Sequence, residues 1–210
     1  MSKVAVCNMA LRFFGQPAIV SLEDNRPQAI HCRTFYDTAL AELLREHPWN
    51  FAQSRKRLAS LPEAEEWAGE YELAYAYPEA CVAVHFLLAP GGERSRRFTL
   101  GNIDGRRAIL TDIPRAVAGC TLFADDTTAY DPAFTLALAR RLACLILKAT
   151  LKGDSAQARE AEQEYRLALA EAKVSDAREG RPFQDENGWW NGGQDFWEAG
   201  MRCNFKDRQW

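Results

Sequence analysis

Three groups of neighbouring carboxylates stand out: Asp125-Asp126, Glu63 with Glu65-Glu66, and Asp185-Glu186. Paired acids serve glycoside hydrolysis, one as proton donor and the other as base or nucleophile, or they hold a hard divalent cation. No pocket signature stands beside any of them, so solvated surface is the expectation. GxSxG, HExxH, the P-loop and GxGxxG are all missing from the 210 residues, which removes the nucleophile elbow, the zincin helix and both phosphate cradles. His85 lies in an apolar strand-like run, where a core or interface imidazole with satisfied nitrogens is expected rather than a general base. The three histidines, His31, His47 and His85, and the six cysteines, Cys7, Cys32, Cys81, Cys120, Cys144 and Cys203, offer no CxxC and no paired short spacing. His31-Cys32 would diverge by about 100° on a helix, a poor chelate. The cysteines therefore read as reduced, buried small hydrophobes. No catalytic residue, metal site or cofactor is expected.

Charge narrows the partners. The formal net charge of −3 excludes a surface that traps polyphosphate throughout, because every phosphate contact needs a cation. Local basic patches remain. Arg94, Arg96 and Arg97, with Arg106 and Arg107 across an expected hairpin, form the densest one. It suits DNA phosphates or an acidic protein partner, or else a charged edge that keeps a hairpin from pairing wrongly. In Arg55-Lys56-Arg57 alternate residues face opposite sides of a strand, so all three cannot serve one surface. A composition of 47% hydrophobic and 26% charged residues is that of a globular chain, not a collagen-like or disordered one. The longest apolar stretch, Ala133 to Leu147, is interrupted by Arg140 and Arg141, short of the roughly 18 residues that a membrane span needs. Met1-Ser2-Lys3 leads into no apolar h-region with a cleavage site, so a signal peptide is not expected.

The elements that must position these residues follow from periodicity. Val4 to Phe14 reads as a short buried helix stopped at Gly15. Polar residues from Leu22 to Arg26 precede Pro27, and Cys32, Tyr36, Ala39 and Leu43 recur at helical spacing until His47-Pro48. From Trp49 to Tyr130 the period shortens. Phe51–Leu61, Tyr71–Tyr77, Cys81–Leu88, Arg97–Leu100, Ala108–Leu110 and Cys120–Phe123 read as antiparallel strands, with hairpin tips at Gly91-Gly92 and at Gly101 to Gly105, the second too long for a two-residue turn. Asp131-Pro132 then starts a helix that is apolar nearly all round and hence central. Asp154 is expected to cap a fourth. The predicted class is α+β: a four-helix core (1–48 and 131–180), an inserted antiparallel β region (49–130) and an extended C-terminal arm (181–210).

On the fourth helix, Ala158, Ala161, Tyr165, Ala168, Leu169 and Ala172 fall in one arc at 100° per residue. Glu160, Glu164 and Glu171 lie on one flank of it, Arg159, Arg166 and Lys173 on the other. Opposite flanks of opposite charge suit head-to-tail contacts between identical subunits, although pairing within the helix, Glu162 with Arg166, also fits. The arm is rich in turn formers yet carries Phe183, Trp189, Trp190, Phe196, Trp197, Phe205 and Trp210. Disordered tails are aromatic-poor and tryptophan is an interface anchor, so docking on a partner is expected.

Several of these segments, taken in order, carry a resemblance. Cys7-Asn8-Met9-Ala10-Leu11 with Phe14-Gly15, Ile19-Val20-Ser21-Leu22, and His47-Pro48-Trp49-Asn50-Phe51-Ala52 with Arg55 and Leu58 form the first part. Tyr75-Ala76-Tyr77-Pro78-Glu79-Ala80-Cys81-Val82-Ala83-Val84 and the last two helices complete it. Over roughly residues 4–178 the chain resembles the head-to-tail adaptor family of short-tailed bacteriophages, tail tubular protein A. The resemblance implies a non-enzymatic virion protein at the head-tail junction, present in the host cytoplasm during assembly. It implies a ring of about twelve copies between portal and tail nozzle. Double-stranded DNA would pass through without sequence-specific binding, and no membrane is involved. The helical part would hold the ring, Glu160, Glu164 and Glu171 meeting Arg159, Arg166 and Lys173 of a neighbour. The aromatic arm would grip the portal, and Gly91, Gly92, Arg94, Asp104 and Gly105 would face the nozzle. A DNA-binding accessory protein using the Arg94–Arg107 region and a tail-associated cell-wall hydrolase are the rival readings.

Overall fold

A computed structural model describes residues 1–61, 70–150 and 156–179. Among these residues four α-helices, α1 (Lys3–Arg12), α2 (Pro27–Glu46), α3 (Pro132–Thr150) and α4 (Ala156–Glu179), accompany seven strands, so the class is α+β. The strands are β1 (Gln53–Arg57), β2 (Leu73–Ala76), β3 (Cys81–Leu88), β4 (Arg94–Ser95), β5 (Thr99–Ile103), β6 (Arg106–Thr111) and β7 (Val117–Leu122). Met1–Asp176 forms one compact unit that includes both the helices and the sheets; the second unit is Ala177–Trp210, described only through Glu179. Among the described residues no helix is long and apolar enough to cross a membrane.

Each helix end has a local cause. Ser2 accepts from the Ala5 N–H to start α1, and Gly15, at φ 72°, closes it. The Gln16 and Gly15 N–H groups reach back to the carbonyls of Leu11 and Arg12, which would otherwise be left open. The Asn8 amide then pins the following loop: it donates to the Ile19 carbonyl at 2.9 Å and accepts from the Ile19 N–H at 2.8 Å. The polar residues before α2 act differently from caps. The residue preceding the helix is Arg26, with no side-chain cap, while Asp24 binds Arg26 itself through backbone and Nε. Pro27 needs no N–H partner at that position. Asp131 caps α3 as its type predicts, accepting from the Phe134 N–H at 2.6 Å.

α3 buries ten side chains along its length, among them Phe134, Leu138, Leu142 and Ile146. The two arginines interrupting its apolar run face its neighbours. Arg140 stacks on Phe13 at 3.6 Å and pairs with Glu164, and Arg141 reaches Glu42 at 2.6 Å while lying over Tyr165. The main hydrophobic cluster draws side chains from all four helices, together with Ile19, Trp49 and Ala52.

The strands form two antiparallel sheets, β1-β7-β3-β4 and β2-β6-β5. A smaller cluster, Leu58, Tyr75, Leu87, Ile109, Ala116 and Ala118, is drawn from both. The run from Phe51 to Leu61 is not one strand. Phe51 belongs to a 3₁₀ turn, Asn50–Ala52, because its ring packs on Phe134 at 4.8 Å and on Tyr130 at 5.3 Å. Among the described strands β1 pairs only with β7, and the chain then crosses to the other sheet, where Ser60 bridges Tyr75. The Asp104-Gly105 turn also departs from expectation. β5 continues to Ile103, whose partner is Arg106, so the turn has two residues; both are left-handed, at φ 50° and 78°. This is the twist that hairpin strands favour, and Asp and Gly tolerate it best.

Gly119, at the centre of β7, sits opposite Phe86 on β3, and an added Cβ would run into the Phe86 ring. The aromatic ring thus lies flat on bare backbone, with Arg94 stacked on it at 4.3 Å. Gly119→Ala should cost about 1–3 kcal/mol, read as a lowered midpoint in urea unfolding.

The two kinds of structure meet at His47-Pro48-Trp49-Asn50. Pro48 ends α2, and Trp49 turns fully inward, its indole N–H bonded to the Leu43 carbonyl at 2.8 Å and its ring edge-on to Phe134. Asp176 of α4, 4% exposed, accepts from the Asn50 N–H at 2.9 Å and lies 3.0 Å from His47 Nε2. The Asn50 amide returns a bond to the Asp176 carbonyl at 2.7 Å. Asp176→Ala removes the buried acceptor that holds the Asn50 N–H and faces His47, and should lower stability by about 1–3 kcal/mol in thermal unfolding, whereas removing exposed Glu171 should change it by less than about 0.5 kcal/mol.

Candidate functional site

α4 has two dissimilar long faces. Tyr165, Ala168, Ala172 and Asp176 are buried, with Ala161 and Leu169 packed beside them, which is the inward arc expected from spacing. Diametrically opposite, Leu167 is 68% and Val174 44% exposed. Ala170 is exposed between them and Gln163 extends the same line. An exposed Leu and Val seven residues apart on this helix make an apolar strip that, among the described residues, nothing packs against.

The charges border this strip. Glu160 and Glu171 are exposed, and among the described residues neither has an ion pair; Glu164, on the same side, is tied to Arg140. On the other side Arg166, 76% exposed, lies 3.9 Å from Glu162, and Lys173 lies 3.5 Å from Glu46. Arg159 is exposed there too. At least four of the six expected contact charges therefore interact within the chain: Glu164, Arg166, Lys173 and Arg159. The pairs of Arg166 and Lys173 are long and surface-exposed, and such pairs are worth well under about 1 kcal/mol, so an incoming carboxylate can replace them. Glu162 is anchored differently: its carboxyl is held below the usual range chiefly by the hydrogen bond from Lys148, and Arg141 adds to this. Beside the basic flank, a groove of about 530 Å³ between α2 and α4 is lined by Arg45, Glu46, Arg141, Arg166 and Leu169 among others.

The charge order along this face sets a direction. When two copies of α4 run parallel, the acidic border of one meets the basic border of the other. When they run antiparallel, whether face to face or side by side, acid meets acid. Like charges in contact are penalised, so the pattern selects parallel neighbours.

Other expected site residues are placed as follows. Gly91 and Gly92 form the tip between β3 and β4: the Gly92 N–H bonds the Ala89 carbonyl at 2.9 Å around Pro90, and Gly92 is left-handed at φ 85°. Both this tip and Asp104-Gly105 are exposed. The arginines do not form one hairpin. Arg94 is on β4 of the four-stranded sheet, whereas Arg106 and Arg107 are on β6 of the other. The segment between, Arg96 to Phe98, is where the chain changes sheets. Arg107 stacks on Tyr77 at 3.9 Å, and Arg96 and Arg97 line a depression of about 450 Å³ with Tyr71, Phe98, Glu70 and Asp112. Arg55, Lys56 and Arg57 are all exposed on the edge strand β1.

Asp125 pairs with Lys3 at 2.5 Å, and Asp126 accepts from the Thr128 N–H and hydroxyl in a tight turn, which pulls its carboxyl below the usual range. His85 lies 2.8 Å from the Thr121 hydroxyl, its basicity lowered first by burial and then by the positive charge of Arg96. Of the cysteines, Cys7, Cys32, Cys120 and Cys144 are buried and Cys81 partly exposed, all as free thiols. Cys7 and Cys32 lie in the same hydrophobic cluster, and Cys81 and Cys120 on the neighbouring strands β3 and β7, where the Cys120 thiol donates to the Ser54 carbonyl at 3.6 Å. No group of three or more metal-ligating side chains occurs among the described residues. Glu63, Glu65, Glu66, Asp154, Asp185, Glu186, Cys203 and the arm residues Phe183, Trp189, Trp190, Phe196, Trp197, Phe205 and Trp210 lie outside the described residues.

No family model matches the chain, and neither does any curated protein.

Leu167→Glu with Val174→Glu should leave the thermal midpoint of the dilute chain within about 0.5 kcal/mol of the parent, because neither side chain contributes to the interior. Leu138→Glu, at a fully buried position of α3, should abolish folding.

Proposed function

We propose that the chain is a structural ring protein, a head-to-tail adaptor of a short-tailed bacteriophage that joins portal to tail nozzle. The observation that carries this reading is the outer face of α4, where exposed Leu167 and Val174 run between an acidic and a basic border. A rotational ring requires neighbours that point the same way, and parallel helices are what this charge order favours. A water-excluding apolar strip beside the charges strengthens pairs that would be weak alone. The four-helix core would be the ring-forming body and the residues after 181 the arm that docks on the portal. Each of the two exposed β-turns is a candidate contact with the nozzle. A net charge of −3 suits a conduit through which DNA slides without being bound.

The test exploits the two borders. A Glu160→Lys/Glu171→Lys chain carries bases on both flanks, and an Arg159→Glu/Arg166→Glu/Lys173→Glu chain carries acids on both. In native mass measurements with purified portal rings, neither should assemble alone, whereas an equimolar mixture should build alternating rings. The parent chain should assemble on portals, and deletion of residues 182–210 should weaken its docking at least tenfold. Unimpaired assembly of either charge-reversed chain alone would refute the interface. A parent chain that stays monomeric with portals but binds duplex DNA with steep salt dependence would favour an accessory DNA-binding protein.

A further inference from the structure

Arg55, Lys56 and Arg57 are cations that the ring reading leaves unused, and the register of β1 decides what they can meet. β1 has β7 on one side and, among the described residues, no strand on the other. The Leu58 N–H donates to the Ala116 carbonyl at 3.1 Å, so these two residues face each other as a hydrogen-bonded pair. Such pairs alternate with non-bonded ones along an antiparallel ladder. Ser54 and Lys56 therefore also turn their backbone groups towards β7, and the Ser54 carbonyl accepts from the Cys120 thiol on that side. The N–H and carbonyl groups of Arg55 and Arg57 point the other way, along the open edge.

The side chains alternate between the two faces of the sheet. Lys56 shares a face with Leu58, which is buried in the smaller hydrophobic cluster, while Arg55 and Arg57 stand on the opposite face. All three are exposed, as is Arg115 in the turn just before Ala116, and none of the four makes an ion pair among the described residues. A duplex or an anionic surface laid on the sheet would reach one face and miss either Lys56 or the two arginines. A strand added in the plane of the sheet reaches both faces with successive side chains. Edge cations also serve to keep strands from pairing wrongly. That purpose would place them equally on β5, an edge strand of the second sheet where Leu100 is 46% exposed, yet β5 carries no charged residue.

We infer that β1 is a docking edge for an extended acidic segment of a partner protein, which joins the β1-β7-β3-β4 sheet as a further, antiparallel strand beside β1. Its backbone exchanges hydrogen bonds with Arg55 and Arg57, and three consecutive carboxylate side chains meet Arg57, Lys56 and Arg55 on alternate faces. The backbone bonds supply affinity whatever the sequence, and the cross-strand charge pairs supply the choice of partner. A second copy is disfavoured from docking its own β1 here, because cation would then stand opposite cation along the strand. No group has to move to open the edge, so the chain binds in the conformation described. The site is separate from the outer face of α4 and does not rest on the ring reading.

The probe is the peptide acetyl-Thr-Val-Glu-Glu-Glu-Val-Thr-amide, added to the isotope-labelled full-length chain in about 0.1 M salt, which screens loose charge attraction. Binding should saturate below about 1 mM and slow amide hydrogen exchange at Arg55 and Arg57, with little change at Ser54 and Lys56, whose N–H groups β7 already holds. Methylating the backbone nitrogens of the first and third glutamates keeps every charge and removes their hydrogen bonds, and affinity should fall at least about tenfold. Arg55→Glu/Arg57→Glu, at exposed positions, should lose the acidic peptide and gain a version with lysine in place of each glutamate, circular dichroism confirming the fold. A methylated peptide that binds as well as its parent, duplex DNA that binds while the peptide does not, or unchanged exchange at Arg55 and Arg57 would overturn the inference.

Discussion

The buried carboxylate of Asp176 is where the architecture is tied. An ionised or polar group at 4% exposure is tolerated only when its oxygens are used, and here they hold the backbone of Asn50 and the ring of His47. Those residues are where α2 stops and the β portion begins. One side chain therefore sets the seat of α4 against α2 and the direction in which the chain leaves the helices. Trp49 supports it from within, since its fully buried ring packs on Phe134 and its N–H reaches the Leu43 carbonyl. The helical and β portions, separable by sequence period, consequently share one compact unit.

With α4 anchored on its inner side, its outer side is left with a surface that solubility does not require. A solvated helix needs only charge; Leu167 and Val174 add apolar area where water would otherwise be the only neighbour. The proposed ring gives that area a use, and the charge borders give it a polarity.

Much of this architecture is legible from residue order. Gly15, Pro27, Pro48 and Asp131 mark helix limits because each acts through its own backbone or its nearest neighbours. The inward arc of α4 follows from spacing alone, and so does the antiparallel character of the middle segment. What escapes is what depends on distant partners. Phe51 looks like a strand residue until Phe134 and Tyr130 claim its ring. The arginine cluster looks continuous, yet the chain changes sheets between Ser95 and Thr99, so Arg94 and Arg107 end on different ones. Asn102 and Ile103 read as turn residues because the glycines around them dominate the pattern, but their ladder partners Arg107 and Arg106 extend the strand. Leu167 and Val174 were hidden for a different reason. Their seven-residue interval carries no message until the opposite face is known to be filled.

The helical interior is assembled from segments on both sides of the strands, α1 and α2 before them and α3 and α4 after. While the chain emerges from a ribosome, the apolar sides of the first two helices have no α3 to cover them until the whole intervening stretch has been made. Nascent chains thus carry Leu11, Leu40, Leu43 and Leu44 uncovered for a long interval. Chaperone engagement and the pace of translation across the strands then become determinants of yield, independent of how stable the finished molecule is.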